Sequence, residues 1–203
     1  MKIGILGGGV VGQTLATGLM AKGHDVVIGV RAVTEAALAK PRQQAVPLSD
    51  WQKATRGRAV TLAEAAAYSD LVINATTGQV SLEALAVAGA ANLKGKVLID
   101  AANPLDFSAG MPPFVAKEFA GATSLGEQIQ AAHPDTHVVK AFNTIAAAVM
   151  VNPALVPGPH DLILAGNSAD AKATVVAIAR DFGWQHIIDL GDIAGARASE
   201  AHL

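Results

Sequence analysis

The chain has 203 residues, 51% of them hydrophobic, and a net charge of −2. That is enough for one large domain, or one domain with a small appendage, and for a core that needs no covalent staples. The charge balance gives no basic patch for nucleic acid or a membrane surface, and the absence of cysteine excludes disulfides, thiolate nucleophiles, iron–sulfur clusters and cysteine-ligated zinc. Charged residues make up 16%, against roughly 25% in an ordinary globular protein, a deficit that points to extra buried surface such as a homo-oligomer interface.

The strongest signal lies at the N-terminus. Lys2 to Leu6 reads as a short buried strand, and Gly7-Gly-Gly9-Val-Val-Gly12 comes directly after it. Val11, Leu15, Leu19 and Met20 then fall at helical intervals. Strand, G-x-G-x-x-G and helix in that order form the phosphate-binding start of a dinucleotide fold. Gly7 permits the tight turn, Gly9 lets a pyrophosphate approach the backbone, and Gly12 lets helix and strand pack closely. The uncharged run from Ile3 to Ala21 could pass for a signal or membrane segment, but its glycines and Gln13, Thr14 and Thr17 fit this turn better. A cytoplasmic protein is expected.

The second strand, Val26 to Val30, chooses the nucleotide. NAD-specific proteins commonly end this strand with Asp or Glu, which binds the ribose hydroxyls. Here Gly29 and Val30 stand there, with Arg31 next. Loss of the carboxylate removes repulsion against a 2′-phosphate, and an arginine offers that phosphate a forked cation. NADP(H) is predicted over NAD(H). His24, in the turn before this strand, reads as structural.

Alternation of strands and helices continues. Strands are predicted over Arg58–Leu62, Leu71–Ala75, Lys96–Asp100, His137–Ala141, Leu162–Ala165 and His186–Leu190. Helices are predicted over Leu62–Tyr68, Val80–Ala90, Ser124–Ala132, Ile145–Val151 and Ala169–Phe182. Pro41 to Gly57, Phe107 to Ala122 with its Pro112-Pro113 pair, and Val151 to Asp161 read as surface excursions. The fold class is α/β: a Rossmann, doubly wound, mostly parallel sheet with a small C-terminal α/β extension. A boundary near residue 142 separates an NADP-binding domain (1–142) from a small region packed on it (143–203).

Ligands of such sheets gather outside the carboxyl ends of the strands. Thr76, Thr77, Asn103, Pro104, Phe142, Asn143 and Thr144 all fall there and could line a nicotinamide pocket. Taken singly, each also fits ordinary turn chemistry. The six histidines, His24, His133, His137, His160, His186 and His202, are scattered, and Pro134 breaks the helical spacing of His133 and His137. No metal site is predicted.

The sequence resembles the NADPH-dependent reductases of the deazaflavin coenzyme F-420, and is similar to the cytosolic oxidoreductase domain of the six-transmembrane ferric reductases. The resemblance is carried in order by Gly7-Gly-Gly-Val-Val-Gly12, Gly29-Val-Arg31, Asp100-Ala-Ala-Asn-Pro104, Val138-Val-Lys-Ala-Phe-Asn-Thr144 and Leu164-Ala-Gly166. It implies that Gly9, Val10 and Val11 hold the pyrophosphate and that Val30 and Arg31 meet the 2′-phosphate. It places Thr76 near the adenosine ribose, and Asn103 with Ala146 near the nicotinamide. Two departures weaken NADP preference: Val30 replaces a usual serine or threonine, and Glu35 stands where some relatives carry a cation.

The reaction expected is hydride transfer between NADPH and a flat ring, a flavin or deazaflavin of the coenzyme F-420 type. Such transfer asks mainly that two carbons be held roughly 3–3.5 Å apart, so no catalytic acid or base is predicted. Reduction of a small carbonyl or imine is the enzymatic alternative. Its families use a larger helical domain, and the β-hydroxyacid dehydrogenases place a lysine shortly after an asparagine, where Asn143 is succeeded here by Thr144, Ile145 and alanines. A non-catalytic NADP(H)-binding sensor or subunit would use the same glycines and Arg31.

Overall fold

The computed structural model describes residues 1–203 except 43, 112, 120–122, 202 and 203, so Pro112, the end of the second excursion and His202 lie outside the described residues. Among the described residues ten strands occur: β1 (Lys2–Leu6), β2 (Asp25–Val30), β3 (Arg58–Thr61), β4 (Leu71–Asn74), β5 (Val97–Asp100), β6 (Leu105–Asp106), β7 (Phe114–Val115), β8 (His137–Ala141), β9 (Asp161–Gly166) and β10 (His186–Asp189). Eight of them form one sheet in the order β10-β9-β8-β5-β4-β1-β2-β3, and β6 pairs with β7 in a separate hairpin. Within the large sheet every pairing is parallel except β8 with β9. This is the doubly wound architecture the alternation predicts.

The helices are α1 (Val10–Ala21), α2 (Glu35–Ala39), α3 (Leu48–Thr55), α4 (Leu62–Tyr68), α5 (Gly78–Ala88), α6 (Ala90–Leu93), α7 (Leu125–Ala132), α8 (Ala147–Val151), α9 (Ala169–Phe182) and α10 (Ala196–Ala201). The central strands read as unbroken apolar runs because helices cover both faces. On one face Leu15 and Leu19 of α1, Trp51 of α3 and Val175, Ile178 and Phe182 of α9 pack together with Trp184. On the other, Ala65 of α4, Leu85 of α5 and Ile129 of α7 form a second core. Boundaries obey local chemistry. Capping boxes, Thr61 with Glu64 and Ser124 with Glu127, start α4 and α7, and Gly183 in the left-handed conformation ends α9.

Besides the short α2, α6 and α10 and the β6–β7 hairpin, which the sequence reading does not contain, two features go beyond it. The stretch from Pro41 to Gly57 is not wholly a surface excursion: it contains α3, whose Leu48 and Trp51 are buried. These two are spaced one helical turn apart, but prolines and glutamines around them mask the pattern. The second feature is the reversal at β9. α8 has only five residues, about 7.5 Å of helix. The chain re-enters from the edge where β8 ends, and β9 pairs antiparallel with β8.

The C-terminal helix α10 is fastened to α7 by the Arg197 guanidinium, which donates to both carboxylate oxygens of Glu127 at 2.7 and 2.5 Å. That pairing, with the Ser124 cap, holds the Glu127 carboxyl down to about 2 from an ordinary 4.5. A depressed carboxylate contributes stability that is complete above about pH 5 and disappears as pH falls toward its folded value. Because Arg197 is half exposed, solvent screening keeps the contribution small. Urea titrations of Arg197→Gln should show a small stability deficit at pH 7 that shrinks steadily between pH 5 and pH 2; a deficit independent of pH would contradict the pairing.

Candidate coenzyme-binding site

β1 sits between β4 and β2, so the chain winds in opposite directions from the turn after Leu6. The crevice outside this switch point is where such sheets bind nucleotides. Gly7 has φ +116°, donates its N–H to Gly29 at 2.9 Å, and would place a Cβ 2.4 Å from the Ala75 carbonyl oxygen. A Cβ on Gly12 would lie 1.9 Å from the Gly7 carbonyl oxygen. These two glycines are needed by the protein itself. Gly9 differs. It is the extended N-cap of α1, with no side-chain cap, and a Cβ there would meet nothing within 4 Å.

The first intrahelical bond at this end runs from Gln13 N–H to the Gly9 carbonyl, and the first turn carries no acidic residue. The N–H groups of Val10, Val11 and Gly12 therefore open outward with the positive end of the helix dipole behind them. The turn fits a pyrophosphate: open space at Gly9, free donors and no competing carboxylate. At the end of β2, Gly29 packs so closely on Ala65 of α4 that a Cβ would approach it to 2.8 Å. Val30 is buried beneath. Arg31 is exposed and has no ion pair or side-chain hydrogen bond among the described residues. Glu35 is exposed in the first turn of α2.

On the other side of β1, the strand ends carry a connected set of polar groups. The Thr76 hydroxyl donates to Asn74 Oδ1 at 2.7 Å and lies 2.8 Å from the Ser81 hydroxyl. Buried Asn74 donates to Asp100 at 2.8 Å. Asp100 receives Lys140 Nζ at 2.9 Å, and the same ammonium reaches the Ala102 carbonyl at 2.6 Å and Glu200 at 2.8 Å. Glu200 in turn accepts the N–H groups of Leu125 and Gly126 at the start of α7. All three charged side chains are essentially inaccessible to water.

Asn103 and Asn143 clasp each other directly above this set. Asn103 Nδ2 donates to the Asn143 carbonyl at 2.5 Å, and Asn143 Nδ2 donates to Asn103 Oδ1 at 2.9 Å and to the Ser199 carbonyl at 3.0 Å. Phe142 precedes the clasp with φ +68°, a conformation costing a non-glycine residue about 1–2 kcal/mol, and its ring is buried in the core. Pro104 is buried, Thr144 half-buried and Ala146 exposed at the N-cap of α8. The fold thus lines up Arg31, the glycine turn, Thr76, Asn103 with Pro104, and Asn143 through Ala146 along one edge of the sheet. His133, whose pKa is lowered by burial, and His137 lie at the opposite edge, at the start of β8.

Roles for Lys140, Asp100, Glu200, Asn74 and Ser81 escaped the sequence reading. The signal was there: a lysine inside the apolar run Val138-Val-Lys-Ala141, and an aspartate closing another strand, must be paired if buried.

The sequence profile of the family described as NADP oxidoreductase, coenzyme F420-dependent, matches residues 2–104. The chain belongs to this family. It is therefore an NADP-dependent oxidoreductase. It is 29% identical over 98% of its length to the F420-dependent NADP reductase of Methanothermobacter marburgensis, of which it covers 88%. It is 31% identical to the metalloreductase STEAP3 of Rattus norvegicus, again over 98% of the chain, but spans only 36% of that relative. A crystal structure from Arthrobacter sp. FB24, provisionally assigned as an F420-dependent NADP reductase, superposes with a TM-score of 0.91 at 46% identity, covering 98% of this chain and 89% of that one.

The geometry separates two kinds of glycine. Gly9→Ala should leave the melting temperature nearly unchanged yet weaken NADPH binding at least tenfold, whereas Gly12→Ala should cost stability by about 2 kcal/mol or more, because its methyl meets backbone. Equal effects in both assays would contradict this division. Lys140→Ala, which strands two buried carboxylates, should cost about 3–5 kcal/mol by denaturant unfolding; a loss under 1 kcal/mol would show that the cluster is not paired as described.

Proposed function

We propose that this oxidoreductase transfers a hydride between NADPH and a flavin or deazaflavin acceptor of the coenzyme F-420 type, with the two rings stacked at the ends of β5 and β8. In this reading Gly7, Gly9, Val10, Val11 and Gly12 hold the pyrophosphate, while Val30 and Arg31 meet the 2′-phosphate. Thr76 faces the adenosine ribose, and Asn103 and Ala146 the nicotinamide. Pro104, Asn143 and Thr144 border the acceptor, with Phe142 contributing through its backbone.

The observation that carries the reading is the Asn103–Asn143 clasp. Asn103 donates to the Asn143 carbonyl, and Asn143 donates to Asn103 Oδ1 and to Ser199, so most of their capacity goes into bracing the two turns as a wall. Around it stand small or neutral residues, Thr76, Pro104, Thr144 and Ala146. Such a surface suits a flat ring better than a carbonyl or imine that needs a proton donor. The reduced nicotinamide supplies the hydride when bound. The protein's share is to fix the pyrophosphate at α1, anchor the adenine end at Arg31, and hold the 103–104 and 143–146 turns rigid through Lys140 and α10.

The full-length match to the methanogen reductase supports a deazaflavin in particular. A cytoplasmic location and a homodimer belong to the same reading, the latter supported by the exposed Leu155 and Val156.

Anaerobic mixing with NADPH and, separately, coenzyme F-420, FMN, FAD and a cyclic imine provides the test. Saturable loss of absorbance at the nicotinamide band is expected with F-420 or a flavin, with turnover that persists within threefold in His133→Ala and His137→Ala. Reduction of the imine alone would overturn the choice of acceptor, and tight NADPH binding without oxidation by any of them would instead fit a sensor.

A further inference from the structure

Arg31 offers one cation to a 2′-phosphate that bears close to two negative charges at neutral pH. Val30 adds no hydroxyl, and Glu35 adds a negative charge nearby in sequence. On those residues alone the subsite is under-supplied. Beyond Arg31 and α2 the chain returns to the glycine turn, where buried Gln13 donates from one amide nitrogen to the Gly8 carbonyl at 3.0 Å and to the Val46 carbonyl at 2.8 Å. Leu48 and Val30 both close over Gly8, lying 2.8 and 3.2 Å from where its Cβ would stand.

Arg42 lies on this returning segment. Its backbone is bridged to Ala45, the residue before Val46, which brings the two Cα atoms to about 5 Å. Arg42 is half-buried, and its Nε is shielded from solvent without a hydrogen-bond partner. No carboxylate pairs with it among the described residues, in contrast to Arg58 with Asp25 and Arg197 with Glu127. Burial lowers its pKa with no anion opposing the shift. A guanidinium partly withdrawn from water and left without a counter-charge is unfavourable unless an anion arrives. The stretch from Val46 to Leu48, into which the Arg42 bridge leads, lies against Gln13, Gly8 and Val30, and the anion on offer at that end of β2 is the phosphate on the adenosine ribose.

We propose that Arg42, held against the glycine turn by the Gln13–Val46 contact, is a second guanidinium of the 2′-phosphate subsite and supplies discrimination for NADPH that Val30 and Glu35 take away from Arg31. A dianion clamped between two forks gains charge-assisted bonds that NADH cannot make. The inference rests on the assignment of Arg31 to the same phosphate and is independent of the hydride acceptor.

Calorimetric titration of NADPH and NADH into the wild type, Arg42→Met, Arg42→Lys and Arg31→Met, with no acceptor present, tests it. Arg42→Met should weaken NADPH about tenfold while NADH stays within twofold, and Arg42→Lys should recover part of the loss. Its melting temperature should not fall, since the side chain has no protein partner to lose. Equal weakening of both nucleotides, or unchanged NADPH affinity, would overturn the proposal. Loss of preference in Arg31→Met but not in Arg42→Met would do so while leaving the Arg31 assignment standing.

Discussion

The close approach of backbone to backbone at the glycine turn governs this molecule. Gly7 must pass within a Cβ's width of Ala75, and Gly12 must rest on the Gly7 carbonyl, before α1 can start where it does. Once those contacts form, the first N–H groups of α1 have no protein acceptor among the described residues and face an opening at Gly9. The same winding sets β2 on one side and β4, β5 and β8 on the other, so the residues at the ends of these strands fall into a line. Open donors at a helix start and an aligned row of strand ends therefore arise from one steric requirement.

The far end of that track is held by different physics. Lys140 sits among Asp100, Glu200 and the Ala102 carbonyl, with all its donors used and almost no exposure. Buried clusters of this kind rarely add net stability over a well-packed apolar core, although removing one member is costly. What this one does is join β5, β8, α7 and α10 beneath the Asn103–Asn143 clasp. Phe142, forced to positive φ, turns the chain so that Asn143 can reach both Asn103 and Ser199. The strained residue and the clasp form one device, which fixes two turns that ring chemistry would need to be stationary.

Much of this was legible in the residues. The glycine spacing, the missing acid at the end of β2 and the strand-end asparagines stand out in the sequence because each reflects a local steric or electrostatic need, and the fold brings them to one edge of the sheet. Less legible was anything set by tertiary contact. α3 was hidden because Leu48 and Trp51 are only two apolar residues in a polar, proline-flanked stretch, and their burial depends on α1, where Trp51 donates to Thr17 at 3.0 Å. The reversal at β9 is a matter of strand pairing with β8, which periodicity does not encode. Partners of Lys140 come from positions 40 and 60 residues away, so the sequence announces a buried charge without naming what neutralises it.

Transfer of the hydride itself is the central claim, and isotopic labelling reaches it most directly. With NADPH carrying deuterium at the transferable C4 position and a deazaflavin acceptor, the account predicts that the label appears on a carbon of the reduced acceptor by NMR, one deuterium for each NADP+ formed. Label recovered in solvent, or NADPH left intact while tightly bound, would contradict it.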